Sequence, residues 1–456
     1  MIVYKFGGTS VADAERIRHA AGLVCDCEGE RVVVVSALAG VTNQLVELAF
    51  DAVMGNRAGV ERLLEDVRAR HEAVGSVLLR ALSDRDRLME RVEAVLTGLA
   101  EAAERGLAAS DPESVRRLTD ELSAVGEDLS AEMMAAALMQ EGLAARAVDA
   151  RGMVRTDGRF GGAVPRDEDT ARLVREVLRP LLAQGHVPVL QGFVGATEEG
   201  ATTTLGRGGS DFTAAIIGAA LEADEVCIWT DVDGVMSAEP QHVEHATVLP
   251  ELGYEEAVEL AYFGARVIHP AAAKHAVAGD VSLVVRNAQR PDRPGTRIRP
   301  DTRRASGVAA VAYKPAVTLI KVRSRPMFMA YGFLARVFEV LARHRLPVDL
   351  VATSHTSTAF TLDGDEGLGG VREDLGRFAE VEVLPHLATV SVVGHGLLQE
   401  PGITARVFSA LGQTSVQLIS QASDVSLSFL VEAIEAPDVV RRLHAELIES
   451  RVKGDT

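Results

Sequence analysis

The sequence predicts a doubly wound α/β domain with a mainly parallel sheet and a helical insertion, followed by two ferredoxin-like βαββαβ domains. In the first half of the chain, short apolar runs alternate with helical segments. This alternation is typical of a parallel sheet that helices cover on both faces. In the last third, one pattern of a helix and paired strands occurs twice, about 70 residues apart.

The strands of the first domain are predicted from short runs of β-branched and aromatic residues. Val32–Ser36 is continuously apolar, as expected for a strand buried on both faces. Ser10 and Asp13 predict a capping box that starts a helix running to about Val24. The other predicted strands are 2–6, 146–148, 187–191, 225–229 and 282–285, with further helices at 168–184 and 211–221.

Residues 44–142 interrupt the alternation of strands and helices. They are rich in Ala, Leu, Glu and Arg at helical spacing, which predicts a helical insertion after the second strand. We expect the domain that contains this insertion to span residues 1–290. Three prolines between 290 and 300 then predict a linker, which we place at 291–306.

The last part of the chain contains an internal repeat. Residues 332–341 read GFLARVFEVL and residues 402–411 read GITARVFSAL, and each helix is followed by two strand-like runs and a further helical stretch. The repeat predicts two βαββαβ units at 307–386 and 387–456, either consecutive or interleaved.

Composition excludes several classes of function. The 47 basic and 65 acidic residues give a formal charge of -18, which argues against nonspecific nucleic-acid binding. No apolar run reaches about 18 residues, so no membrane span is expected. The three cysteines include no C-x-x-C pair, which favours reduced thiols and no protein-borne metal site. With no signal-peptide pattern at the start, we expect a soluble, cytoplasmic protein.

Three glycine-rich loops follow predicted strands. The first, Lys5 to Ser10 (KFGGTS), joins a lysine to flexible glycines and a helix start, which suits a phosphate group, although a structural turn is an equal alternative. The second, 36–42 (SALAGVT), is by itself more simply a β-to-α turn. In the third, 206–211 (GRGGSD), Arg207 could hold a carboxylate, whereas Asp211 could equally cap a helix.

The three loops together predict a ligand site more strongly than any one of them, because the carboxyl ends of parallel strands meet at the edge where open α/β sheets bind ligands. A fourth segment, 230–235 (TDVDGV), follows the strand that ends at Trp229. It is either a hairpin-like turn or part of a nucleotide pocket.

Taken together, these segments resemble aspartate kinases of the amino-acid kinase family. KFGGTS, SALAGVT, GRGGSD, TDVDGV and FGARVIHP (263–270) occur in the family's order, and GFLARVF with VDLVATS (348–354) resembles the first of its two ACT domains. The resemblance covers essentially the whole chain. It implies transfer of the γ-phosphoryl group of ATP, with Mg²⁺, to the side-chain carboxylate of L-aspartate.

The resemblance also implies roles for individual residues. Lys5 would neutralise the transferring phosphoryl group, and Asp211 would orient that lysine. Gly7, Gly8 and Ser36 would line the phosphate site. The amino acid would contact Thr42, Glu127, Arg207 and Ser210, with Glu127 at its amino group and Arg207 at its α-carboxylate. The nucleotide would contact Thr230, Asp231, Met236, Gln241 and Arg266.

Several positions on the nucleotide side depart from the family's pattern. Met236 replaces a tyrosine, Arg266 a lysine, and Glu239-Pro240-Gln241 an Asp-Pro-Arg sequence. The positive charge at position 266 is kept in Arg266, whereas the positive charge of the family's arginine is absent at Gln241. These departures concern nucleotide affinity more than the identity of the acceptor.

The chemistry of this reaction requires charge neutralisation more than proton transfer. The aspartate side chain has a pKa near 4 in model compounds, so it is already a nucleophile at neutral pH and needs no general base. Magnesium would be held largely by the ATP phosphates.

The tandem repeats resemble regulatory ACT domains, which implies lysine or threonine as effector. Candidate contacts are Met327, Gly332, Asp349 and Ser354, although the family's Ser-Glu-Val-Ser stretch reads Ser-His-Thr-Ser at 354–357. The ACT domains also imply a homodimer or higher homo-oligomer. Two alternatives stay open, namely a kinase for another amino-acid carboxylate and a non-catalytic amino-acid sensor. The chain length leads us to expect a kinase without a fused homoserine dehydrogenase.

Overall fold

The computed structural model describes residues 1–108, 111–264, 268–300, 307–323, 331–365 and 367–450. Arg266 and Met327, two of the predicted contacts, lie outside the described residues. The chain divides into two compact units. The first comprises Met1–Val235, Pro250–Tyr254 and Val267–Thr302, and the second comprises Met236–Leu249, Glu255–Arg266 and Arg303–Thr456.

The first unit is built on an eight-stranded sheet. Its strands are β1 (Ile2–Phe6), β2 (Arg31–Val35), β3 (Ala145–Val148), β4 (Val187–Gln191), β7 (Glu225–Thr230), β8 (Glu251–Gly253), β9 (Ser282–Asn287) and β10 (Thr296–Arg299), and a small hairpin adds β5 (Val194–Ala196) and β6 (Thr202–Thr204). The order is β3-β4-β2-β1-β7-β9-β10-β8, and only the β9–β10 pair is antiparallel. The predicted doubly wound, mainly parallel sheet is confirmed.

Helices cover both faces of this sheet, so its central strands are apolar throughout. Val32–Val35 have no exposed surface. The helices of the unit are α1 (Ala14–Cys25), α2 (Val41–Val53), α3 (Arg57–Leu78), α4 (Leu82–Gly106), α5 (Pro112–Ser123), α6 (Val125–Gln140), α7 (Asp167–Ala183), α8 (Gly209–Leu221) and α10 (Pro270–Ala278), while α9 (Tyr254–Tyr262) begins at the division between the units. Helices α2 to α6 form the insertion after β2.

Two local predictions in this unit are wrong. Asp13 alone caps α1, accepting a hydrogen bond from the Arg16 amide, whereas the Ser10 hydroxyl donates to the Trp229 carbonyl oxygen. The proline-rich segment is also not simply a linker, because β10 lies within it. A turn between β9 and β10 contains the first two prolines and the third follows β10, so no proline interrupts a ladder.

The second unit contains a six-stranded antiparallel sheet. Its strands are β11 (Ala310–Arg323), β12 (Val351–Thr353), β13 (Ser357–Asp363), β14 (Glu380–Val393), β15 (Leu418–Ser423) and β16 (Ser426–Glu432), in the order β12-β13-β11-β14-β16-β15. Its helices are α11 (Phe333–Arg343), α12 (Leu368–Gly376), α13 (Ile403–Leu411) and α14 (Ala436–His444).

The two repeats share strands. The second half of β11 pairs with β13 in the first repeat, and its first half, from Ala310 to Lys314, pairs with β14 at Thr389–Val393 in the second. Of the two arrangements predicted, consecutive and interleaved, the structure has the interleaved one. β11 supplies the outer strand that the second repeat would otherwise need after α14. Each repeat still encloses its own apolar core.

None of the helices in the described part of the chain combines the length and the apolarity needed to cross a bilayer.

Candidate active site

A cavity of about 670 Å³ opens at the carboxyl edge of the sheet in the first unit. The loops after β1 and β2 form one side of it, the inserted helices form another, and the loop before α8 forms a third. Its lining includes eight of the predicted site residues, namely Lys5, Gly8, Ser36, Thr42, Glu127, Arg207, Ser210 and Asp211. The structure thus brings together residues that are more than 200 positions apart in the sequence.

An ion pair lies at the strand side of the cavity. Lys5 extends from β1, and its Nζ lies 2.7 Å from Oδ1 of Asp211, with both side chains almost buried. Helix α8 begins after Gly208, so Asp211 lies in its first turn and is not the cap. The alternative prediction of Asp211 as a helix cap is therefore wrong, and its carboxylate is available to hold the ammonium group.

The first glycine-rich loop approaches neighbouring backbone closely. The Gly7 amide donates to the Trp229 carbonyl oxygen at 3.2 Å. A Cβ atom at Gly8 would lie 2.8 Å from the carbonyl oxygen of Ala37. A side chain at position 8 would push apart the loops after β1 and β2, which together line the cavity.

Glu127 is a buried carboxyl group that faces the cavity from α6. It is 3% exposed, and among the described residues its Oε2 has no hydrogen-bond partner. Burial raises its pKa to about 8, against a smaller lowering by a backbone hydrogen bond from Ala37. A buried acid without a partner cation is costly when ionised, so this site favours a ligand that brings a positive charge.

The loop before α8 presents a cation of a different kind. Arg207 is exposed and stands between Gly206 and Gly208, which both have positive φ values of 74° and 72°. A Cβ at Gly208 would lie 2.5 Å from the His269 ring, so glycine is required there for two reasons. Burial lowers the pKa of His269, which keeps this neighbour of the loop uncharged at neutral pH.

The residues predicted for the nucleotide are less concentrated. Thr230 is the last residue of β7 and Asp231 follows it, and both line a separate, small cavity with Thr9 and Ser10. Met236 and Gln241 belong to the second unit, where Met236 forms a bridge with Val248 and Gln241 is exposed. These assignments stay predictions.

Sequence reasoning missed residues that line or support these cavities. Asp120, Thr204 and Phe193 line the large cavity, and Asn287 donates from its side chain to Asp231 and Asp233 beside the small one. Asp120 follows a threonine and precedes a glutamate on a polar helix, so nothing in the pattern separates it from solvated neighbours. Only the fold reveals that it is 1% exposed.

The predicted effector contacts lie in the second unit. Asp349 accepts hydrogen bonds from the hydroxyl of Tyr262 and from Nζ of Lys314, the latter at 2.7 Å. Ser354 closes the turn between β12 and β13 through its hydroxyl contact with Ser357 at 2.7 Å. Gly332 is the N-cap of α11 and has a φ of 78°.

The fold and the cavity define the class of protein, and comparison with known proteins agrees. The Amino acid kinase family matches residues 1–287, more than half of the chain, and an ACT domain matches residues 390–447. The chain therefore belongs to the amino acid kinase family.

Its relatives narrow the assignment. The chain is 37% identical to lysine-sensitive aspartokinase 3 of Escherichia coli over 98% of this chain and 99% of that protein. It is 35% identical to the chloroplastic aspartokinase 1 of Arabidopsis thaliana, over 98% of this chain and 80% of that protein. Aspartokinase III of E. coli in complex with aspartate and ADP superposes with a TM-score of 0.87 at 36% identity, covering 98% and 99% of the two chains. Within its family, the chain thus groups with the aspartokinases.

Proposed function

We propose that this chain transfers the γ-phosphoryl group of ATP to the side-chain carboxylate of L-aspartate, forming 4-phospho-L-aspartate, and that an amino acid regulates it. The observation that carries the proposal is the cavity in which the Lys5–Asp211 ion pair, the buried Glu127 and the exposed Arg207 surround one space. An amino acid with a second carboxylate has one charge for each of these groups. The E. coli relative was solved with aspartate and ADP, which supports both substrates.

The amino acid is held by its α-substituents. Glu127 receives the ammonium group, which removes the cost of its buried charge, and Arg207 pairs with the α-carboxylate in a bidentate contact. Thr42 and Ser210 add hydroxyl groups at the wall of the cavity. The side-chain carboxylate is left free to point toward Lys5.

The phosphoryl group is transferred beside Lys5. Two anions must approach each other there, so the reaction depends on the lysine ammonium and the backbone amides of the glycine-rich loop. Asp211 fixes the direction of Lys5 through the 2.7 Å ion pair. Gly7, Gly8 and Ser36 line the phosphates, and the aspartate carboxylate attacks without a general base because it is already ionised.

The nucleotide extends from this point toward the end of β7. Thr230 and Asp231 hold it there; Met236, Gln241 and Arg266 stay nucleotide contacts that the family resemblance implies. Mg²⁺ enters with the ATP phosphates. The phosphate oxygens would supply most of its ligands.

The two ACT repeats provide regulation. Lysine is the first candidate effector, because the E. coli relative is named lysine-sensitive and was also solved with lysine and aspartate; threonine is the second. Asp349, Ser354, Gly332 and Met327 are the proposed contacts. A homodimer or higher homo-oligomer formed through these repeats is part of the proposal. So are the boundaries 1–290, 307–386 and 387–456 of the three domains, with strands shared between the last two.

The test is ATP turnover with magnesium and a hydroxamate trap for the acyl phosphate. L-Aspartate, L-glutamate, N-acetylglutamate and carbamate serve as acceptors, each with and without lysine and threonine. We expect a trapped product with aspartate alone, and inhibition by lysine. Turnover with another acceptor would move the chain to another branch of the family. Nucleotide binding without any turnover would indicate an amino-acid sensor.

A further inference from the structure

Two acidic side chains flank Glu127 and attach its helices to one short strand. Asp120 lies at the end of α5, seven positions before Glu127, and Asp128 follows it directly on α6. Asp120 contacts β6 directly, and Asp128 is connected to it through Arg151; β6 is the strand Thr202–Thr204 that leads into the loop of Arg207. Neither carboxylate has a role in the proposed reaction.

Asp120 accepts four hydrogen bonds in a buried position. Thr204 donates from its amide at 2.9 Å and from its hydroxyl at 2.8 Å, and the Gly161 amide lies 3.0 Å from each carboxylate oxygen. The three donors, of which the Gly161 amide is shared between both oxygens, all need an acceptor, and an ionised carboxylate supplies it. An asparagine would offer one acceptor oxygen and turn an NH₂ group toward amides that also donate.

Asp128 makes the second attachment through an arginine. Arg151 donates to both of its carboxylate oxygens, at 2.8 and 2.9 Å, and from Nε to the Thr202 hydroxyl at 3.0 Å. Both charged side chains are largely buried. Bidentate pairs of this kind fix orientation as well as distance.

The two attachments use one face of β6. Successive side chains of a strand alternate, so Thr202 and Thr204 point together toward the inserted helices. Thr203 points the other way, and its hydroxyl lies 2.7 Å from that of Thr156. The strand is therefore held on one face by α5 and α6 and on the other by the body of the unit.

These contacts connect Glu127 and Arg207, the two residues proposed to hold the α-ammonium and α-carboxylate groups of the substrate. Asp120 is joined to Glu127 through Ala124. The Ala124 amide donates to the Asp120 carbonyl oxygen, and the Glu127 amide donates to the Ala124 carbonyl oxygen. Thr204 precedes Arg207 by three positions. Movement of the inserted helices relative to β6 would change the distance between Glu127 and Arg207.

We propose that Asp120 and the Asp128–Arg151 pair are positioning residues that fix the separation of Glu127 and Arg207, and so select an acceptor with an α-ammonium and an α-carboxylate. This inference rests on the proposed function, since it assumes that these two groups bind the acceptor. Neither positioning residue touches the transferring phosphoryl group. Their effect is confined to the amino-acid end of the cavity.

The test compares Asp120→Asn and Asp128→Asn with Glu121→Gln. Glu121 is the next residue on the same helix, and it pairs with Arg105 in a solvent-exposed contact, so the matched control makes the same chemical change on the other face. We measure kcat, the KM values for aspartate and ATP, and the inhibition constant of succinate. Succinate lacks the amino group and cannot use Glu127.

We expect the KM for aspartate to rise on the order of tenfold in Asp120→Asn and Asp128→Asn, since misplacement of binding groups by about 1 Å has effects of this size or larger. The KM for ATP and the inhibition constant of succinate should stay within about twofold of wild type. Glu121→Gln should match wild type in every constant. A general loosening of the unit would instead weaken all three ligands.

Equal weakening of aspartate and succinate, or an unchanged KM for aspartate, would overturn the inference while leaving the proposed function intact. If Asp120→Asn does not fold, Thr204→Val removes one of the four hydrogen bonds and carries the same expectation with a smaller rise. Wild-type protein that never phosphorylates aspartate would overturn the proposed function itself, and this inference with it.

Discussion

Replacement of Glu127 by glutamine should change the stability of the first unit in a pH-dependent way. Burial raises the pKa of this carboxyl group from 4.5 to about 8. Between these two values, the folded protein holds a proton that the unfolded chain has already lost. Folding therefore takes up a proton in this window, and the contribution of Glu127 to stability falls as the pH rises through it.

The size of the effect follows from the shift. A difference of about 3.5 units at about 1.4 kcal/mol per unit gives an upper limit of about 5 kcal/mol, reached above pH 8. Glutamine keeps the shape of the side chain and does not ionise. Glu127→Gln should thus match wild type near pH 4.5 and become more stable by several kcal/mol at pH 9, while losing aspartate kinase activity.

Urea unfolding followed by tryptophan fluorescence measures this difference. Trp229 is the only tryptophan of the sequence and is buried in β7, so its signal reports on the unit that contains Glu127. The contributions of other titrating groups to the free energy of unfolding cancel when the variant is compared with wild type at each pH. Glu121→Gln serves as a control for loss of an exposed acid. Saturating aspartate should restore stability to wild type at pH 9 but not to the variant. Parallel stability curves from pH 5 to pH 9 would refute the reasoning.

Three further predictions concern the other groups of the site. Lys5→Ala should lower kcat on the order of 10²-fold or more, because a group that stabilises the transition state electrostatically is lost. The control Lys274→Ala, at an exposed position on α10, should leave kcat unchanged. Near-normal turnover of Lys5→Ala would remove Lys5 from this role. Gly8→Ala should raise the KM for ATP at least on the order of tenfold, since the new methyl group meets the Ala37 carbonyl at 2.8 Å; an unchanged KM would show that the two loops can separate at no cost. Asp349→Asn should raise the lysine concentration that gives half-inhibition, while turnover without lysine stays near wild type. Full sensitivity to lysine in the variant would exclude Asp349 as a contact.

Much of the first unit could be predicted because its signals are local. The strand Val187–Gln191 has the predicted bounds. β1 and β2 coincide with apolar runs, which are typical of strands in a sheet that helices cover on both faces. The glycine-rich loops converge on one cavity because parallel strands end at one edge. These features need no knowledge of distant contacts.

What could not be predicted depends on distant partners. The pairing of β11 with both repeats depends on register between strands far apart in sequence, so the repeat alone could not decide between consecutive and interleaved units. Asp120 looks like any helical acid until β6 lies against it. Ser10 satisfies the spacing of a capping box, yet the Trp229 carbonyl on a neighbouring strand takes its hydroxyl.

The cavity compensates each of its charges in a different way, which suits it to bind a dicarboxylic amino acid and a nucleotide. Lys5 is neutralised by Asp211, Glu127 by a proton at neutral pH, and Arg207 by solvent. None of these groups therefore bears the full cost of a buried, unpaired charge before the substrates bind. In the proposed binding mode, aspartate would exchange two of the three arrangements for direct pairs, with its ammonium group at Glu127 and its α-carboxylate at Arg207. The proposed contacts leave the Lys5–Asp211 pair unchanged, so the ammonium group would stay aligned at the point where the two anions meet.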